Sequence, residues 1–562
     1  MTCKHCQHVG SLILSKEERV DLSLGFVGEI EDNAVDCETC RQILAMPGLQ
    51  PLQHVDQIIL KQLGSSKLKV EYLIETRGNV VGNNILIALP PMGDAERDIG
   101  VTVDSQWIDI RKIRRWLDCC DESHVGNCDR ALHLDREDSL QNLLLVDVHQ
   151  ACLVSLPITT RYFALSYVWG QLSDSLETRR DNIDSLKQKG AVSSDTDTIR
   201  LPNTIRDALR LVQSLGERYL WVDRLSIVQD DIRNKNIHVM SMGSIFASAY
   251  CTIVACDGED ADWGLRGVGL GSTHRSYSPH ILRFPQCALA TRINYWSWMH
   301  SYHGTRGWTF QEVFLSRRTL IFSKDTVEWQ CQKSIWKEDI LGDAEGVAYG
   351  FPEPVPWMLS LDTWPNLLRW GGLVREYNDG NLTLASDARA AFIGIERSLE
   401  RSFPGGFTYG LPEFVFDAAL LWQPLEPMKR RDDSRESLSG CTLPSWSWIG
   451  WKGRLLESSW IPCEDFLITC LDSLTSAVHT VTGKLSPLWS GINQGLQMVR
   501  KGDIMVEDFY FEELPKCNGV YEFYNVLWIR WKDGYAVREA LGRVEKCAWE
   551  RQNLEEIDVQ LR

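Results

Sequence analysis

Between about residues 160 and 332, short apolar runs alternate with amphipathic stretches. Apolar runs of about four to eight residues bounded by turn signals are typical of buried strands. Apolar residues at helical intervals lie between Pro202 and Gly216, which are a start and a stop signal for a helix. This alternation predicts an α/β domain with a parallel sheet and right-handed crossovers. The runs that predict its first three strands are residues 163–169, 219–222 and 250–255.

The carboxyl ends of these three strands carry polar or aromatic side chains. Trp169 ends the first strand, Asp223 follows the second and Asp257 follows the third. In open α/β sheets, ligands bind outside the carboxyl ends of the strands, which meet at one edge. We therefore expect the three side chains at a common rim, and this rim is the predicted site.

The regions on either side follow other patterns. The first 150 residues are punctuated by cysteines and contain strand-like segments at 85–89 and 143–146, whereas the last 230 residues are rich in tryptophan. We expect three parts: a cysteine-containing region over residues 1–150, an α/β domain over 151–332, and a mixed α+β region over 333–562 that packs on the α/β domain.

Length and charge narrow the class of protein. A chain of 562 residues exceeds the roughly 250–300 residues of a single core, which agrees with several parts. The net charge of −17 disfavours nonspecific binding to nucleic acid or to an anionic membrane surface. No window approaches the roughly 18 apolar residues of a membrane span, and the amino terminus lacks the apolar stretch of a signal peptide. We therefore expect a cytoplasmic protein whose 17 cysteines are thiols or metal ligands.

Two close cysteine pairs lie near the amino terminus. The C-x-x-C spacing lets a tight turn aim two sulfurs at one tetrahedral Zn²⁺ ion. The 30 residues between the pairs exceed the usual interval, and His5 and His8 are alternative ligands. A structural zinc site and a group of unligated thiols both remain open. The candidate zinc ligands are Cys3, Cys6, Cys37 and Cys40.

A second group precedes the α/β domain. Cys120, His124 and Cys128 have the spacing of three metal ligands, with Cys119 beside them. Adjacent cysteines cannot easily share one tetrahedral ion, so the group lacks an obvious fourth ligand. Buried thiols and a hydrogen-bonded histidine are therefore the favoured interpretation.

Five motifs in the same order resemble the fungal heterokaryon-incompatibility (HET) domain. The segment RWLDCCDESHVGNC before them and LPSWSWIGW from Leu443 also resemble the flanks of these proteins. The resemblance is specific because it covers about residues 160–332 in order. The motifs are ALSYVWG from Ala164, LPNTIRDAL from Leu201, YLWVDRLSIVQDD from Tyr219, MGSIFASAYCTIVACDG from Met242 and RGWTFQEVFLSRRTLIF from Arg306.

This resemblance implies a role in nonself recognition, in which the fusion of incompatible fungal cells triggers growth arrest or programmed cell death. The HET domain is thought to be distantly similar to TIR domains, which implies a flavodoxin-like sheet. Two positions depart from the family pattern. Arg224 and Ser226 stand where the family more often has a small residue and a cysteine, so no role of that cysteine is carried over.

Some TIR domains hydrolyse NAD⁺, so the resemblance implies NAD⁺ as a substrate. Breaking the bond between nicotinamide and ribose builds positive charge on the ribose, which a carboxylate stabilises. Glu312 is the first candidate for this catalytic carboxylate and Asp223 the second. Arg306 has the fork-shaped guanidinium that suits a phosphate. Trp169 and Asp257 complete the predicted substrate-binding rim.

Other interpretations of these residues stay open. If Glu312 has a purely structural role, we expect it instead to cap a helix or to pair with Arg306 or Arg317. The competing functional hypothesis is a non-enzymatic signalling module that binds protein partners, including other HET domains, through the rim. A weaker third hypothesis is metal-dependent hydrolysis by three carboxylates, those of Asp223, Asp230 and Asp231.

Overall fold

The computed structural model divides into two compact units, Met1–Leu359 and Ser360–Arg562. Among the described residues, no helix has the length and apolar character needed to cross a membrane. The structure describes residues 2–14, 22–46, 53–62, 71–76, 79–89, 103–129, 140–172, 175–193, 200–269, 271–285, 287–293, 297–339, 366–431, 443–456, 496–497, 508–509, 523–532 and 534–545.

The first unit contains two sheets and the helices that cover them. Its strands are β1 (Leu22–Phe26), β2 (Gln57–Gln62), β3 (Glu71–Thr76), β4 (Asn79–Leu89), β5 (Asn142–Asp147), β6 (Cys152–Pro157), β7 (Phe163–Ser166), β8 (Tyr219–Trp221), β9 (Cys251–Ala255), β10 (Ile281–Arg283), β11 (Ala288–Ile293), β12 (Arg318–Ser323), β13 (Thr326–Cys331) and β14 (Ile335–Lys337). Its helices are α1 (Lys4–Leu14), α2 (Val27–Ala34), α3 (Glu38–Leu44), α4 (Ile110–Ser123), α5 (Ile183–Leu186), α6 (Asn203–Ser214), α7 (Asp223–Ser226), α8 (Ile232–Met240), α9 (Met242–Ser248) and α10 (Gly307–Phe314), with a 3-10 helix at Ser297–His300.

The larger sheet has the strand order β14-β13-β12-β9-β7-β8-β5-β6. Its central strands β12, β9, β7 and β8 are parallel, which confirms the parallel arrangement predicted for three of them. The outer strands are antiparallel, because β5–β6, β12–β13 and β13–β14 are joined by short hairpins that cannot connect parallel neighbours. The prediction of a parallel sheet is therefore correct for the centre and wrong for the edges: the sheet is mixed. It also continues past residue 332 through β14.

Successive residues of β7 face opposite layers of the core. Phe163 and Leu165 pack in one buried cluster with side chains of α6 such as Ile205. Ala164 packs in another cluster with Ile245 of α9. All residues of β7, β9 and β12 are buried, as expected for strands covered on both faces. The centre of the sheet is therefore sandwiched between helices.

Two glycine turns position the predicted elements. Gly216 follows the helix predicted from Pro202, which is α6, and has φ +74°. Gly170 has φ +64°, and a Cβ added there would lie 2.3 Å from the Cβ of Asp260. Because only glycine fits this left-handed and crowded position, the chain turns sharply just after Trp169.

The smaller sheet is antiparallel, in the order β1-β2-β3-β4-β11-β10. Strands β10 and β11 come from the excursion between β9 and β12, so the sheet joins the amino-terminal region to the middle of the chain. Helices α1 to α3 contribute to its apolar core, where Val9 and Ile30 pack with Leu24 of β1. The strand predicted at residues 85–89 lies within β4.

The second unit carries buried tryptophans in its core. Trp370 and Trp448 are fully buried, and Trp448 makes edge contacts with the rings of Tyr377 and Phe392. Its helices are α11 (Leu367–Asn378), α12 (Ile393–Leu399) and α13 (Phe416–Ala419), with 3-10 helices at Ala385–Ala388, Glu413–Val415 and Trp448–Gly450. Its strands are β15 (Phe407–Thr408), β16 (Leu411–Pro412), β17 (Lys429–Arg430), β18 (Trp451–Lys452), β19 (Leu496–Gln497), β20 (Asp508–Phe509), β21 (Phe523–Lys532) and β22 (Tyr535–Glu545).

Candidate functional site

Two of the predicted rim residues contact each other directly. The indole Nε1 of Trp169, which follows β7, donates to the Oδ2 of Asp223 at the start of α7, over 2.5 Å. Both side chains are half-buried. Burial raises the pKa of Asp223, and the hydrogen bond from Trp169 acts in the opposite direction. The carboxyl ends of β7 and β8 therefore meet in one polar contact, as expected for adjacent parallel strands.

Arg306 joins helix α10 to the end of β7. It precedes the first residue of the helix, and its Nη1 donates to the backbone carbonyl of Tyr167 over 2.6 Å. Burial raises the pKa of Glu312 and Asp223 and lowers that of His303, and the guanidinium charge acts to lower all three, so it lies within electrostatic range of these side chains. The structure thus brings the predicted phosphate-binding residue to the two predicted catalytic carboxyl groups.

Glu312 belongs to a buried hydrogen-bonded group with two residues that the sequence analysis missed. The Oγ of Ser166 donates to the Oε2 of Glu312 over 2.5 Å and lies 2.8 Å from the Nε2 of His303. Ser166 is the last residue of β7, and Glu312 is in α10. The exposed fractions are 1% for Ser166, 0% for His303 and 7% for Glu312. The sequence offered one signal for Ser166, which is a polar residue at the end of an otherwise apolar run.

The protonation of this group is set mainly by burial. Burial raises the pKa of Glu312 to about 7, although Arg306 and the hydrogen bond from Ser166 act against the rise. Burial also lowers the pKa of His303 to about 3, with Arg306 acting in the same direction. At neutral pH, His303 is therefore uncharged, while Glu312 exchanges between its protonated and ionised forms.

The serine hydroxyl has one proton and can couple the two neighbours. When Glu312 is ionised, Ser166 donates to it and accepts from the Nε2–H of His303. When Glu312 is protonated, its hydroxyl can donate to Ser166, which then donates to the Nε2 of His303. A carboxyl group that exchanges its proton near neutral pH is suited to general acid–base chemistry.

Two of the structural alternatives for Glu312, a helix cap and a pair with Arg317, are not what the geometry shows. Glu312 lies inside α10 rather than at its start, and its carboxyl group bonds to Ser166. Arg317 donates instead to backbone carbonyls, among them that of Ser248 over 3.0 Å. Arg306 donates to a backbone carbonyl as described above. Glu312 therefore acts neither as a helix cap nor as the hydrogen-bonded partner of Arg317.

Asp257 follows β9 as predicted, but its contacts differ from those of the other rim residues. Its carboxyl oxygens accept from the backbone N–H groups of Lys324 and Asp325, over 2.9 and 3.4 Å. These two residues form the β12–β13 turn, with φ of +50° and +61°. Asp257 also lines a cavity of about 10 Å³ with Trp263 and Arg266, enough for about one water molecule. The structure thus gives Asp257 a turn-stabilising position.

The two departures from the family pattern lie beside the rim. The guanidinium of Arg224 covers the ring of Trp169, 4.4 Å from its centroid, and donates to the hydroxyl of Ser175. The Oγ of Ser226 accepts from the backbone N–H of Val222 over 3.0 Å. One face of Trp169 is therefore occupied by protein.

The four amino-terminal cysteines converge at the start of α1 and α3. The Sγ of Cys40 lies 3.6 Å from that of Cys6 and 3.8 Å from that of Cys3, and Cys37 lies 3.8 Å from Cys6. Tetrahedral zinc with Zn–S bonds of about 2.3 Å separates its sulfurs by about 3.8 Å. The hydrogen bond from Cys6 lowers the pKa of the Cys40 thiol, although burial opposes this. The cluster is thus arranged so that it could hold a metal ion, and His5 and His8 are outside it.

The second cysteine–histidine group has a fourth member. Cys331 at the end of β13 joins Cys120, His124 and Cys128, and the ligand atoms all lie within 4.8 Å of one another. The expectation that this group lacks a fourth ligand is therefore wrong. Sequence spacing could not reveal it, because Cys331 is 207 residues from His124.

The three carboxylates of the metal-hydrolysis hypothesis do not converge. Asp231 accepts from the backbone N–H of Asn234 at the start of α8, over 3.1 Å, and Asp230 accepts from that of Arg180, over 2.9 Å. In the part of the chain that the structure describes, the two cysteine-containing clusters are the groups that bring three or more such ligands together. Asp223, Asp230 and Asp231 do not form such a group among the described residues.

Comparison with known proteins identifies the region that contains this site. The profile of the family "Heterokaryon incompatibility protein (HET)" matches residues 162–312. Heterokaryon incompatibility protein 6, OR allele, of Neurospora crassa is 30% identical over 134 residues, which cover 21% of this chain and 19% of that relative. The match thus spans about a fifth of the relative's length. No solved structure matches the chain. The resemblance found in the sequence is therefore confirmed for residues 162–312, which are similar to the HET domain.

Proposed function

We propose that the chain is an effector of fungal incompatibility, in which its HET domain triggers growth arrest or programmed cell death after nonself recognition. The family match and the name of the Neurospora relative support an incompatibility role. The proposed setting is the cytoplasm, where the domain meets protein partners, including other HET domains.

We further propose that the effector acts by hydrolysing NAD⁺ to nicotinamide and ADP-ribose. The single observation that carries this proposal is the buried Glu312 carboxyl, bonded to Ser166 and lying in the field of Arg306 and Asp223. The carboxyl group of Glu312, with a pKa of about 7, lies near the positive charge of Arg306, which we propose binds a phosphate. This combination fits a site that binds a charged nucleotide.

In the proposed reaction, the C–N bond between ribose and nicotinamide breaks and its electron pair leaves with nicotinamide. A water oxygen bonds to the ribose carbon and releases one proton. Ionised Glu312 stabilises the positive charge on the ribose and accepts that proton, with Ser166 as its hydrogen-bond partner. Arg306 binds a phosphate, and Asp223, held by Trp169, adds the second negative charge near the sugar.

The strand order supports the TIR-like part of this proposal. Numbered along the chain, the parallel strands β7, β8, β9 and β12 lie in the order 2-1-3-4. Flavodoxin-like sheets have the order 2-1-3-4-5 and bind their ligand where strands 1 and 3 diverge. The corresponding position is the end of β7 and β9, where Ser166 lies at the carboxyl end of β7.

The test is nicotinamide release by the purified full-length chain and two matched variants. Glu312→Gln removes the proposed catalytic carboxyl. Glu396→Gln is the control, because Glu396 is equally buried, burial also raises its pKa to about 7, and it lies in the other unit. We expect the wild type and Glu396→Gln to release nicotinamide and Glu312→Gln to lose at least 100-fold, on the order of an electrostatic catalytic group. Equal rates of nicotinamide release by the two variants would reject the catalytic role of Glu312.

The second candidate function is a non-enzymatic signalling module that acts by assembly. The near-complete burial of Ser166, His303 and Glu312 favours it, because a hydrogen-bonded buried group can serve structure alone. The rim residues Trp169 and Asp223 would then contact partners. Cell death without any fall in NAD⁺ would favour this candidate.

We also propose that the amino-terminal cysteine cluster binds a structural zinc ion. Its four sulfurs fill all tetrahedral positions, which is the pattern of structural rather than catalytic zinc. The ion would tie α1 to α3 against the smaller sheet. Its ligands are Cys3, Cys6, Cys37 and Cys40.

A further inference from the structure

We propose that Cys120, His124, Cys128 and Cys331 form a second structural zinc site, which fastens the segment before the HET domain to the edge of the domain's sheet. This proposal is independent of NAD⁺ hydrolysis and of the amino-terminal cluster. Three thiolates and one imidazole are a ligand set that proteins use for structural zinc.

The distances within the group fit one tetrahedral ion. The Sγ of Cys331 lies 3.4 Å from the Nδ1 of His124, and the four ligand atoms lie within 4.8 Å of one another. Zn–S bonds of about 2.3 Å and a Zn–N bond of about 2.0 Å at the tetrahedral angle require an S···N distance of about 3.5 Å. All four residues are buried, so the ion would be enclosed by protein.

The local backbone explains how three ligands come from one short segment. Cys120 lies in the last turn of α4, and the N–H of His124 donates to its carbonyl over 3.1 Å. The N–H of Cys128 donates in turn to the carbonyl of His124 over 3.1 Å, after a turn in which Gly126 has φ +84°. Two successive i,i+4 steps thus place three ligands on one side of the segment. Cys331 ends β13 and supplies the fourth from the sheet.

Neighbouring groups orient the imidazole. The Nε2 of His124 lies 3.4 Å from the hydroxyl of Ser334, a long contact that leaves Nδ1 directed at the sulfurs. The ring of Trp336 stacks on His124, with 5.6 Å between centroids and an interplanar angle of 24°. Metal-bound histidines usually donate their other ring N–H to such a partner, which fixes the tautomer.

A buried cation contacts the proposed ligands, although its Nη2 also pairs with the Asp121 carboxylate over 2.9 Å. Zinc with three thiolates and a neutral imidazole carries a net charge of −1. Arg318, only 2% exposed, donates through Nε to the Sγ of Cys120 over 3.3 Å and through Nη1 to the carbonyl of Cys128 over 2.7 Å. Hydrogen bonds to coordinating sulfur stabilise thiolate ligands in this way.

Cys119 shows that the arrangement is selective. It is adjacent to Cys120 but half-exposed, and its sulfur lies 3.9 Å from the hydroxyl of Ser123, outside the four-residue group. It is therefore a matched control for the loss of one thiol from the same helix turn.

The test measures zinc per chain in the full-length protein purified in reductant with zinc, for the wild type, Cys331→Ser and Cys119→Ser. We expect Cys331→Ser to lose one zinc per chain relative to the wild type and Cys119→Ser to lose none. Equal zinc content in all three proteins would overturn the proposal.

A second measurement needs no variant and remains decisive if Cys331→Ser fails to fold. X-ray absorption at the zinc edge of the wild-type chain distinguishes the two clusters, because the amino-terminal one offers four sulfurs. The measured coordination shell is an average over all zinc ions in the chain, and we expect it to contain nitrogen from His124 in addition to sulfur. A shell of four sulfurs without nitrogen, or a chain without zinc, would overturn the second site.

Discussion

Ser166 and Glu312 are 146 residues apart in the chain, yet the hydroxyl of Ser166 donates to the Glu312 carboxyl over 2.5 Å in the core of the HET domain. The contact joins the end of a central parallel strand to the helix that Arg306 precedes. It gives a buried acid a defined hydrogen-bond partner and connects it to His303. The proposed chemistry and the local stability of the domain therefore depend on the same group.

The stability of the first unit is expected to depend on pH through Glu312. Burial raises its pKa from 4.5 to about 7 in the folded protein, so the folded state binds more protons than the unfolded state between these values. The associated stability is complete below about pH 4.5 and is lost as pH rises through 7, amounting to about 3 kcal/mol. Glu312→Gln stays neutral, so its melting temperature relative to the wild type should rise from pH 5 to pH 8. A difference that stays constant over this interval would contradict the assigned burial of an ionising Glu312.

Replacing Ser166 should affect function more than replacing a nearby serine. Ser166→Ala leaves the Glu312 carboxyl and the His303 Nε2 without their shared partner, at a cost of about 1–3 kcal/mol. It should also move the pKa of Glu312 further upward, because the hydrogen bond from Ser166 lowers it. Ser316→Ala is the control: Ser316 is buried and donates to the Glu312 backbone carbonyl over 2.6 Å. We expect both variants to lose stability in thermal melting, but only Ser166→Ala to lose nicotinamide release.

The amino-terminal zinc ion should be removable by one substitution. Cys40→Ser deletes a sulfur that lies 3.6 Å from that of Cys6, and it should release one zinc per chain and lower the melting temperature. Cys287→Ser is the matched control, since Cys287 is buried in the same apolar core but donates to the Gly10 carbonyl instead. Metal analysis of both proteins checks this, and zinc loss from the Cys287 variant alone would contradict the ligand assignment.

A fragment that ends at residue 332 should be less stable than one that ends at residue 359. The shorter fragment lacks β14 and Glu338, whose carboxylate pairs with the fully buried Arg275 and accepts from the N–H of Val327 over 3.0 Å. Leaving a buried charge unpaired costs about 3–5 kcal/mol. Thermal melting of the two fragments tests this, with Glu338→Gln in the full chain as a point variant that should show part of the loss. Equal melting temperatures would show that β14 and the ion pair are dispensable.

The sequence predicted what depends on local pattern. Short apolar runs predicted three of the four central strands, β7, β8 and β9, and Pro202 and Gly216 marked helix α6 to within a few residues. The antiparallel direction of the outer strands of the large sheet was not predicted, because it depends on hairpin pairing rather than on periodicity.

The site was predicted only in part, because some of its contacts join residues that are far apart in the sequence. Trp169, Asp223, Arg306 and Glu312 come together because motif positions at strand and helix ends converge in this topology. The partners added by long-range contacts were missed: Ser166 and His303 beside Glu312, and Cys331 beside the second cysteine group. The contacts between the Asp257 carboxylate and two N–H groups of a neighbouring turn were also not predicted, and its role in substrate binding stays a prediction.

The most direct test of the central proposal is the NAD⁺ content of fungal cells after induction of the full-length chain, measured beside growth. We predict that the wild type and Glu396→Gln deplete NAD⁺ before growth stops, and that Glu312→Gln, at equal abundance, leaves both NAD⁺ and growth unchanged. Growth arrest by Glu312→Gln equal to that of the wild type, or arrest by the wild type with NAD⁺ unchanged, would contradict an effector that acts through the Glu312 carboxyl.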